Sequence, residues 1–164
     1  ATNSHPMKGV IRTRSGAYVN VFDPDPASLL ISDIAHGLSH VCRFGGHTPR
    51  FYSVAQHSIL VARRLPPELR LEGLLHDASE AYLGDMPTPI KDGMPEYRIA
   101  EDRMQRALAE KFGVGYPFHA LVHEADAAQL RAEFSMFDGE WAEGFMQSEV
   151  AAAEFFKMYE LLAG

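Results

Sequence analysis

The alternation of apolar and polar positions at the start of the chain predicts a small β-hairpin. Two short β-prone runs within residues 9–22 flank Ser15 and Gly16, a pair that favours a tight turn. The next segment places Pro24 and Pro26 each behind an aspartate, which breaks the strand pattern. The hairpin is therefore expected to end before residue 23.

Beyond the hairpin, apolar positions recur every three or four residues, which is the period of amphipathic helices. The first helix is expected to start at Ser32 or Asp33, either of which can cap it, and to stop at Gly45 and Gly46. Residues 85–95 contain Pro87, Pro89 and Pro95 and are expected to form a loop. Further helices are predicted over residues 54–65, 66–84, 96–112, 117–137 and 148–163.

These elements indicate an all-α fold, a bundle of about six helices that share one core and carry the hairpin at one end. A chain of 164 residues suffices for one domain with a sizeable core but not for two. We therefore expect one domain over residues 1–164, with a helical core at 32–137 and a C-terminal helix at 148–163. Residues 1–6 precede a Met-Lys pair and are either a native tail or an added one. Apolar positions on the last helix are compatible with a homo-oligomer.

The composition narrows the function classes. With 46% hydrophobic and 23% charged residues, the chain resembles neither disordered nor fibrous proteins, and its apolar runs are too short to span a membrane. A formal net charge of −7 argues against polymeric nucleic acid as a partner. The single cysteine, Cys42, allows no internal disulfide, which fits a cytoplasmic location. Any metal must then be bound by histidines and carboxylates.

The segment around His76, Asp77 and Glu80 is the most informative part of the sequence. In a helix, Glu80 would lie one turn beyond His76 and Asp77, on the same face. The neighbouring residues in the sequence are mostly leucine, alanine and tyrosine, so these charged side chains are expected to be partly buried. Burying such groups costs several kcal/mol each unless they are paired or bound to a metal. A bound cation would account for them. The alternative is a solvated helix face on which His76 contacts a neighbouring carbonyl.

Two further residues extend this group. His57 lies in the apolar second helix and by itself is as consistent with a hydrogen-bonded core histidine, while Asp126 by itself fits a solvated face of the fifth helix. Together with His76 and Asp77 they would supply two nitrogens and two carboxylate oxygens. This donor set suits one divalent transition metal such as Mn, Co, Zn, Ni or Fe, with Mg also allowed, and leaves positions open for a ligand.

The pattern of a histidine, a His-Asp pair and a distant aspartate resembles the HD-domain phosphohydrolase superfamily. The runs at residues 54–58 and 76–91 resemble its compact nucleotide-hydrolysing branch, and the likeness extends from about residue 39 to 131. That branch contains 5′-deoxynucleotidases, which act on deoxynucleoside monophosphates, and small enzymes that act on deoxynucleoside triphosphates. The resemblance implies a helical fold and a metal-dependent hydrolase of small nucleotides.

The resemblance also implies roles for individual residues. By this match, the metal ligands are His57, His76, Asp77 and Asp126. Glu80 and Asp85 match acidic residues beside the substrate phosphate, and Glu80 could orient the attacking water or take its proton.

Arg43 and Phe44 match an Arg-aromatic pair that precedes the first histidine, although tryptophan is common where Phe44 stands. The arginine would hold phosphate, because its planar fork matches phosphate oxygens, and the aromatic ring would pack on the sugar or base. Lys91 could add a second positive charge. For either cation the alternative is a solvated surface side chain, and for Phe44 it is the core.

The remaining histidines are expected to have lesser roles. His36 and His40 are spaced by four, as in some zinc pairs, but no cysteine or carboxylate clearly completes a site. Among His36, His40 and His47, the last is the one expected to contact substrate, because the preceding glycines let the backbone approach a ligand closely. His36, His40, His119 and His123 are expected to lie on a helix face or to line the pocket.

The expected function is hydrolysis of phosphate from deoxynucleoside monophosphates. Release of intact tripolyphosphate from deoxynucleoside triphosphates is the alternative within the same enzyme class. A module that senses nucleotides without turning them over is the alternative from another class.

Overall fold

A computed structural model describes residues 7–164, so the question of the origin of residues 1–6 lies outside the described part. Within it the protein is mainly helical, with one two-stranded antiparallel sheet, and the all-α prediction is confirmed. The strands are β1 (Val10–Arg12) and β2 (Tyr18–Asn20). The helices are α1 (Ile31–His40), α2 (Val54–Arg63), α3 (Arg70–Leu74), α4 (Glu80–Leu83), α5 (Thr88–Lys91), α6 (Pro95–Phe112), α7 (Ala120–Glu133) and α8 (Ser148–Ala163).

Helix α2 lies at the centre of the molecule, where α1, α3, α7 and α8 pack around it. All its residues from Val54 to Ala62 are buried, so the polar side chains it carries are also removed from water. Ser53 caps the helix by accepting a hydrogen bond from the backbone N–H of Gln56 at 3.0 Å. The central helix therefore places His57 inside the protein, where a polar group needs partners.

A smaller apolar cluster attaches α7 to α2. Val61 and Leu65 pack there with Val122 and Ala125 from α7. Since Asp126 directly follows Ala125, this contact holds the aspartate near the central helix.

The hairpin is fastened to the bundle by a buried carboxylate. Asp33 accepts hydrogen bonds from Thr13 Oγ1 (2.7 Å), from the backbone N–H of Ser15 (2.8 Å) and from Ser15 Oγ (2.7 Å). The predicted N-cap at Ser32 or Asp33 is therefore wrong. Helix α1 begins at Ile31 with no side-chain cap, because the hairpin takes up the carboxylate of Asp33.

Replacing Asp33 by alanine should destabilise the protein by about 1–3 kcal/mol, because three donors would lose their buried acceptor. Burial opposes ionisation, but the bonds from Thr13 and Ser15 outweigh it and lower the pKa of Asp33. This stabilisation should therefore be present above pH ~4 and be lost as the pH falls through the lowered pKa. Urea unfolding at two pH values measures both effects. The exposed Asp23 provides the control, and equal midpoints for Asp33→Ala and Asp23→Ala would contradict the assignment.

The third predicted helix, residues 66–84, is not continuous. A single turn at Pro67–Leu69 leads into α3, and α4 starts only at Glu80. His76 and Asp77 lie in the tight link between them, so their predicted mid-helix position is wrong. The reason is local: His76 Nδ1 lies 2.6 Å from the carbonyl oxygen of Gly73, which in a continuous α-helix would accept from the N–H of Asp77.

Other boundaries also differ from prediction. Helix α1 ends at His40, short of the glycines, because Cys42 pairs with Ser53 in an isolated bridge. The segment expected to be a loop contains α5. The fifth predicted helix starts at Ala120 and continues beyond Glu133 as a 3-10 turn. With the divided third helix and α5, the described residues hold eight α-helices in place of about six.

Within residues 7–164, every helix is too short or too polar to cross a membrane.

Candidate metal centre

Four side chains from three separate segments converge on one point. His57 comes from α2, His76 and Asp77 from the link between α3 and α4, and Asp126 from α7. One ligand atom of each lies within 4.8 Å of the corresponding atoms of the other three. The structure thus brings together the four residues that the sequence nominated as metal ligands.

The separations between these atoms match the edges of a metal coordination shell. Asp126 Oδ1 lies 2.9 Å from His57 Nε2 and 3.3 Å from His76 Nε2. Asp77 Oδ2 lies 3.4 Å and 3.1 Å from the same two nitrogens. Donors bound at roughly 2.0–2.2 Å are about 2.8–3.1 Å apart at octahedral angles and about 3.3–3.6 Å apart at tetrahedral ones. The group could hold one divalent cation.

The outer nitrogens of both imidazoles have acceptors that orient the rings. His57 Nδ1 lies 2.6 Å from Glu133 Oε2, and His76 Nδ1 lies 2.6 Å from the carbonyl oxygen of Gly73. Each Nδ1 therefore donates its hydrogen outward, so that in the neutral imidazole the Nε2 lone pair is directed at the common point. This arrangement is typical of histidines that bind metals.

His76 Nε2 provides a further test of the fit. This atom is buried and makes no hydrogen bond of acceptable geometry, although two carboxylate oxygens lie close by. A buried polar atom without a partner is costly. A cation at the common point would satisfy it.

The charges at the centre also favour a cation. Burial opposes the charged form of His76, but the carboxylate of Asp77 outweighs it and raises the pKa of the imidazole. Burial likewise opposes ionisation of Asp77 and Asp126, but the neighbouring imidazoles lower the pKa of both carboxyl groups. The two carboxylates therefore stay ionised and attract positive charge into the gap.

Two more carboxyl groups lie next to this centre. Burial, followed by the negative charges of Asp77 and Asp85, raises the pKa of Glu80. Burial also raises the pKa of Asp85, against the opposing effect of Arg43. Glu80 Oε1 is buried and has no hydrogen-bond partner among the described residues. A carboxyl group with a raised pKa accepts a proton more readily than an ordinary carboxylate.

A cavity of about 290 Å³ opens beside the four donors. Asp77 and Asp126 form part of its wall, together with Glu80 and Asp85. The other wall residues are Arg43, Phe44, Met86, Pro87, Thr88, Pro89, Lys91, Leu130 and Phe134. Its volume is near the lower end of the range for small-molecule sites. The centre is thus accessible to a small ligand.

Arg43 and Phe44 both line this cavity. Arg43 Nη2 lies 2.8 Å from Glu133 Oε1, and the charge of Glu133 outweighs burial and raises the pKa of the guanidinium. The backbone of Phe44 has a φ of 56°, a left-handed conformation that is strained for a residue with a bulky side chain. Its ring packs edge-on against Phe134 and Phe137, at centroid distances of 5.7 and 5.6 Å.

The other two predicted substrate contacts differ in position. Lys91 lines the cavity, but its Nζ pairs with Glu101 Oε2 at 2.8 Å, so part of its charge is neutralised. His47 follows the glycine turn and is exposed, and it does not belong to the cavity wall.

The remaining histidines lie away from the centre. His36 and His40 stack on each other at a centroid distance of 4.2 Å, and His40 Nδ1 lies 2.8 Å from the carbonyl oxygen of His36. His119 caps α7 by accepting a hydrogen bond from Leu121 N at 3.0 Å. His123 packs edge-on against Phe118. In the part of the chain that the structure describes, only the central group offers three or more clustered metal donors.

Sequence reasoning missed Glu133 and Tyr52. The carboxylate of Glu133 is fully buried and contacts His57, Arg43 and Tyr52, whose hydroxyl donates to Oε2. One signal was present: Glu133 follows Asp126 by seven residues in one predicted helix, and two turns return a side chain to the same face. The position of Tyr52 outside any predicted helix gave no such signal.

Comparisons with known proteins place the chain in a family. No family model matches the sequence. "Uncharacterized protein YfdR" of Escherichia coli is 36% identical over 158 residues, covering 94% of this chain and 87% of the relative. An uncharacterized protein of Rhodobacter capsulatus is 39% identical over 142 residues, covering 78% of this chain and 72% of the relative. The chain belongs to the same protein family as YfdR.

Proposed function

We propose that the protein is a metal-dependent phosphohydrolase of the HD-domain type, acting on small nucleotides as a 5′-deoxynucleotidase. The observation that carries this proposal is the convergence of His57, His76, Asp77 and Asp126 beside a cavity that also contains a guanidinium. The residue pattern at 54–58 and 76–91 supports the assignment to the HD-domain superfamily.

The donor set indicates which metals would fit. Two imidazole nitrogens and two carboxylate oxygens suit divalent Mn, Fe, Co, Ni or Zn, and Mg less well. A divalent ion held there would neutralise phosphate oxygens and lower the pKa of water. Asp77 and Asp126 also line the cavity, so an ion held by them would be within reach of a ligand.

Glu80 and Asp85 would act as general base and general acid. Glu80 lines the cavity next to Asp77, and its raised pKa suits a group that accepts a proton from water and later returns it. Asp85 interacts with Glu80 and can share that proton. With its own raised pKa, Asp85 can also protonate a leaving oxygen.

Arg43, Lys91 and Phe44 would bind the substrate. The guanidinium of Arg43 lines the cavity and can offer hydrogen bonds to phosphate oxygens. Lys91 adds positive charge from α5. The ring of Phe44 provides an apolar face for a sugar or base. The limited volume of the cavity favours a mononucleotide over a polymer.

Replacing Arg43 by alanine should chiefly raise KM, by about 10-fold to 100-fold, and change kcat little. A charged hydrogen bond to phosphate acts on substrate and transition state alike, and its loss costs about 1.5–3 kcal/mol. Steady-state kinetics with deoxyadenosine monophosphate measure the effect. Arg50→Ala removes an exposed cation outside this cavity and serves as the control. A fall in kcat with unchanged KM would contradict a binding role.

The proposed function is tested by screening nucleotides against several divalent metals and identifying the released phosphate species. Orthophosphate from deoxynucleoside monophosphates supports the proposal. Tripolyphosphate from deoxynucleoside triphosphates would replace it by the triphosphohydrolase alternative. Tight nucleotide binding without any released phosphate species would favour a sensing module.

A further inference from the structure

Glu133 lies between two parts of the site, the metal-ligand candidate His57 and the cavity residue Arg43. Its carboxylate is fully buried at the C-terminal end of α7. One oxygen, Oε2, lies 2.6 Å from His57 Nδ1. The other, Oε1, accepts from Arg43 Nη2 at 2.8 Å and from Arg43 Nε at 3.2 Å. One rigid group therefore contacts a metal-ligand candidate and the cavity arginine at the same time.

Further bonds keep this carboxylate from rotating. Tyr52 donates its hydroxyl hydrogen to Oε2, and Gln129 Nε2 donates to the same oxygen at 3.2 Å. Gln129 is itself held by Arg64, whose Nε donates to its side-chain oxygen at 2.9 Å. With both oxygens engaged and the residue shielded from water, the position of Glu133 is determined on every side.

We propose that Glu133 is a positioning residue that couples the metal centre to phosphate binding, by orienting the imidazole of His57 with one oxygen and the guanidinium of Arg43 with the other. This inference rests on the proposed function. Glu133 does not belong to the cavity wall, so it acts through these two residues and not on the substrate.

The proposal predicts a double effect from one substitution. Glu133→Gln keeps the size of the side chain but loses the charge and one acceptor, so neither partner is held as before. The Kd for Mn²⁺ should rise about 10-fold to 100-fold, the range found when the outer partner of a metal-binding histidine is removed. The KM for deoxyadenosine monophosphate should rise about tenfold as well, because Arg43 loses its orientation.

Three other variants separate positioning from a general structural role. Arg43→Ala should raise KM and leave the Kd for Mn²⁺ within about threefold of the parent, since it affects only one partner. Arg43→Ala should raise KM less in the Glu133→Gln protein than in the parent protein, because the guanidinium is already misplaced when Glu133 is changed. Glu72→Gln is the matched control: Glu72 is also a buried carboxylate, but it accepts from the backbone N–H of His119 and should change neither constant.

The experiment measures the Kd for Mn²⁺ by chelator competition, and KM together with the Kd for deoxyadenosine monophosphate on the metal-loaded protein. A rise in both the metal and nucleotide constants for Glu133→Gln supports the proposal, and a rise in only one or neither overturns it. Should Glu133→Gln not fold, Glu133→Asp, which retracts the carboxylate by one methylene, is judged by the same two constants. If the parent protein releases no phosphate, the proposed function fails, while the two binding constants still decide the role of Glu133.

Discussion

Asp77→Ala is expected to abolish both metal binding and phosphate release. Its carboxylate oxygen lies within 3.4 Å of both imidazole Nε2 atoms, so its loss removes one of four donors and leaves the imidazoles of His57 and His76 facing an open gap. The Kd for a divalent ion should rise by more than the 10-fold to 100-fold typical of an outer partner, and activity should fall by at least about a thousandfold. Elemental analysis of the purified variant and a phosphate-release assay measure the two effects.

His76→Ala should behave in the same way, because the two residues share the link between α3 and α4 and supply adjacent donors. Asp92→Ala is the control, since this exposed carboxylate pairs only with Arg98 at the surface among the described residues. An Asp77→Ala protein that keeps its full metal content would show that the assigned ligands are wrong.

Glu80→Gln is expected to keep the metal and lose turnover. The side chain lines the cavity beside Asp77 but does not belong to the four-donor group, so the substitution leaves the coordinating atoms in place. Because glutamine cannot accept or return a proton, kcat should fall by about 10²-fold to 10⁴-fold, the usual contribution of general acid–base catalysis. Metal content, together with kcat and KM, separates this result from that of Asp77→Ala.

Glu72→Gln controls for the loss of a buried carboxylate, because it lies outside the cavity wall. Wild-type kcat in metal-loaded Glu80→Gln would contradict a proton-transfer role for Glu80. Loss of metal in the same variant would instead place Glu80 among the ligands.

Local sequence pattern predicted much of this fold. The β-prone runs around Ser15 and Gly16 form the hairpin, with Ile11 opposite Val19 in its register. The last helix, Ser148–Ala163, has the predicted bounds, because its apolar positions keep a helical period without a proline or glycine to interrupt it. Where local preference and packing agree, the period of apolar residues is enough to predict the bounds of an element.

The sequence pattern predicted helix boundaries wrongly where a polar side chain makes a hydrogen bond that the period of apolar residues does not reveal. Asp33 looks like a helix cap but serves the hairpin, eighteen and twenty residues back along the chain. His76 takes the carbonyl oxygen of Gly73 and so interrupts what reads as one helix. In both cases the hydrogen bonds of one polar side chain override a local preference, which is worth about 0.5–2 kcal/mol for a helix cap and less than about 1 kcal/mol per residue for helix propensity.

The candidate site shows the same division. The four donor residues were nominated from the sequence because histidine and aspartate recur in a distinctive order, and the structure brings them together. Glu133 was not predicted from the sequence as a site residue. A glutamate near the end of a helix is usually solvated, and its partners Arg43 and His57 are distant in sequence. The seven-residue spacing from Asp126 puts Glu133 on the same helix face, but its bonds to Arg43 and His57 depend on tertiary packing, which no single helix pattern encodes.

One divalent ion is expected to bind among the four donors. Anomalous diffraction from crystals soaked in Mn²⁺ tests it most directly. We predict one strong peak about 2.0–2.3 Å from His57 Nε2, His76 Nε2 and one carboxylate oxygen each of Asp77 and Asp126. A bound ion that contacts none of these atoms, or no ion at the centre in metal-saturated crystals, would contradict the account.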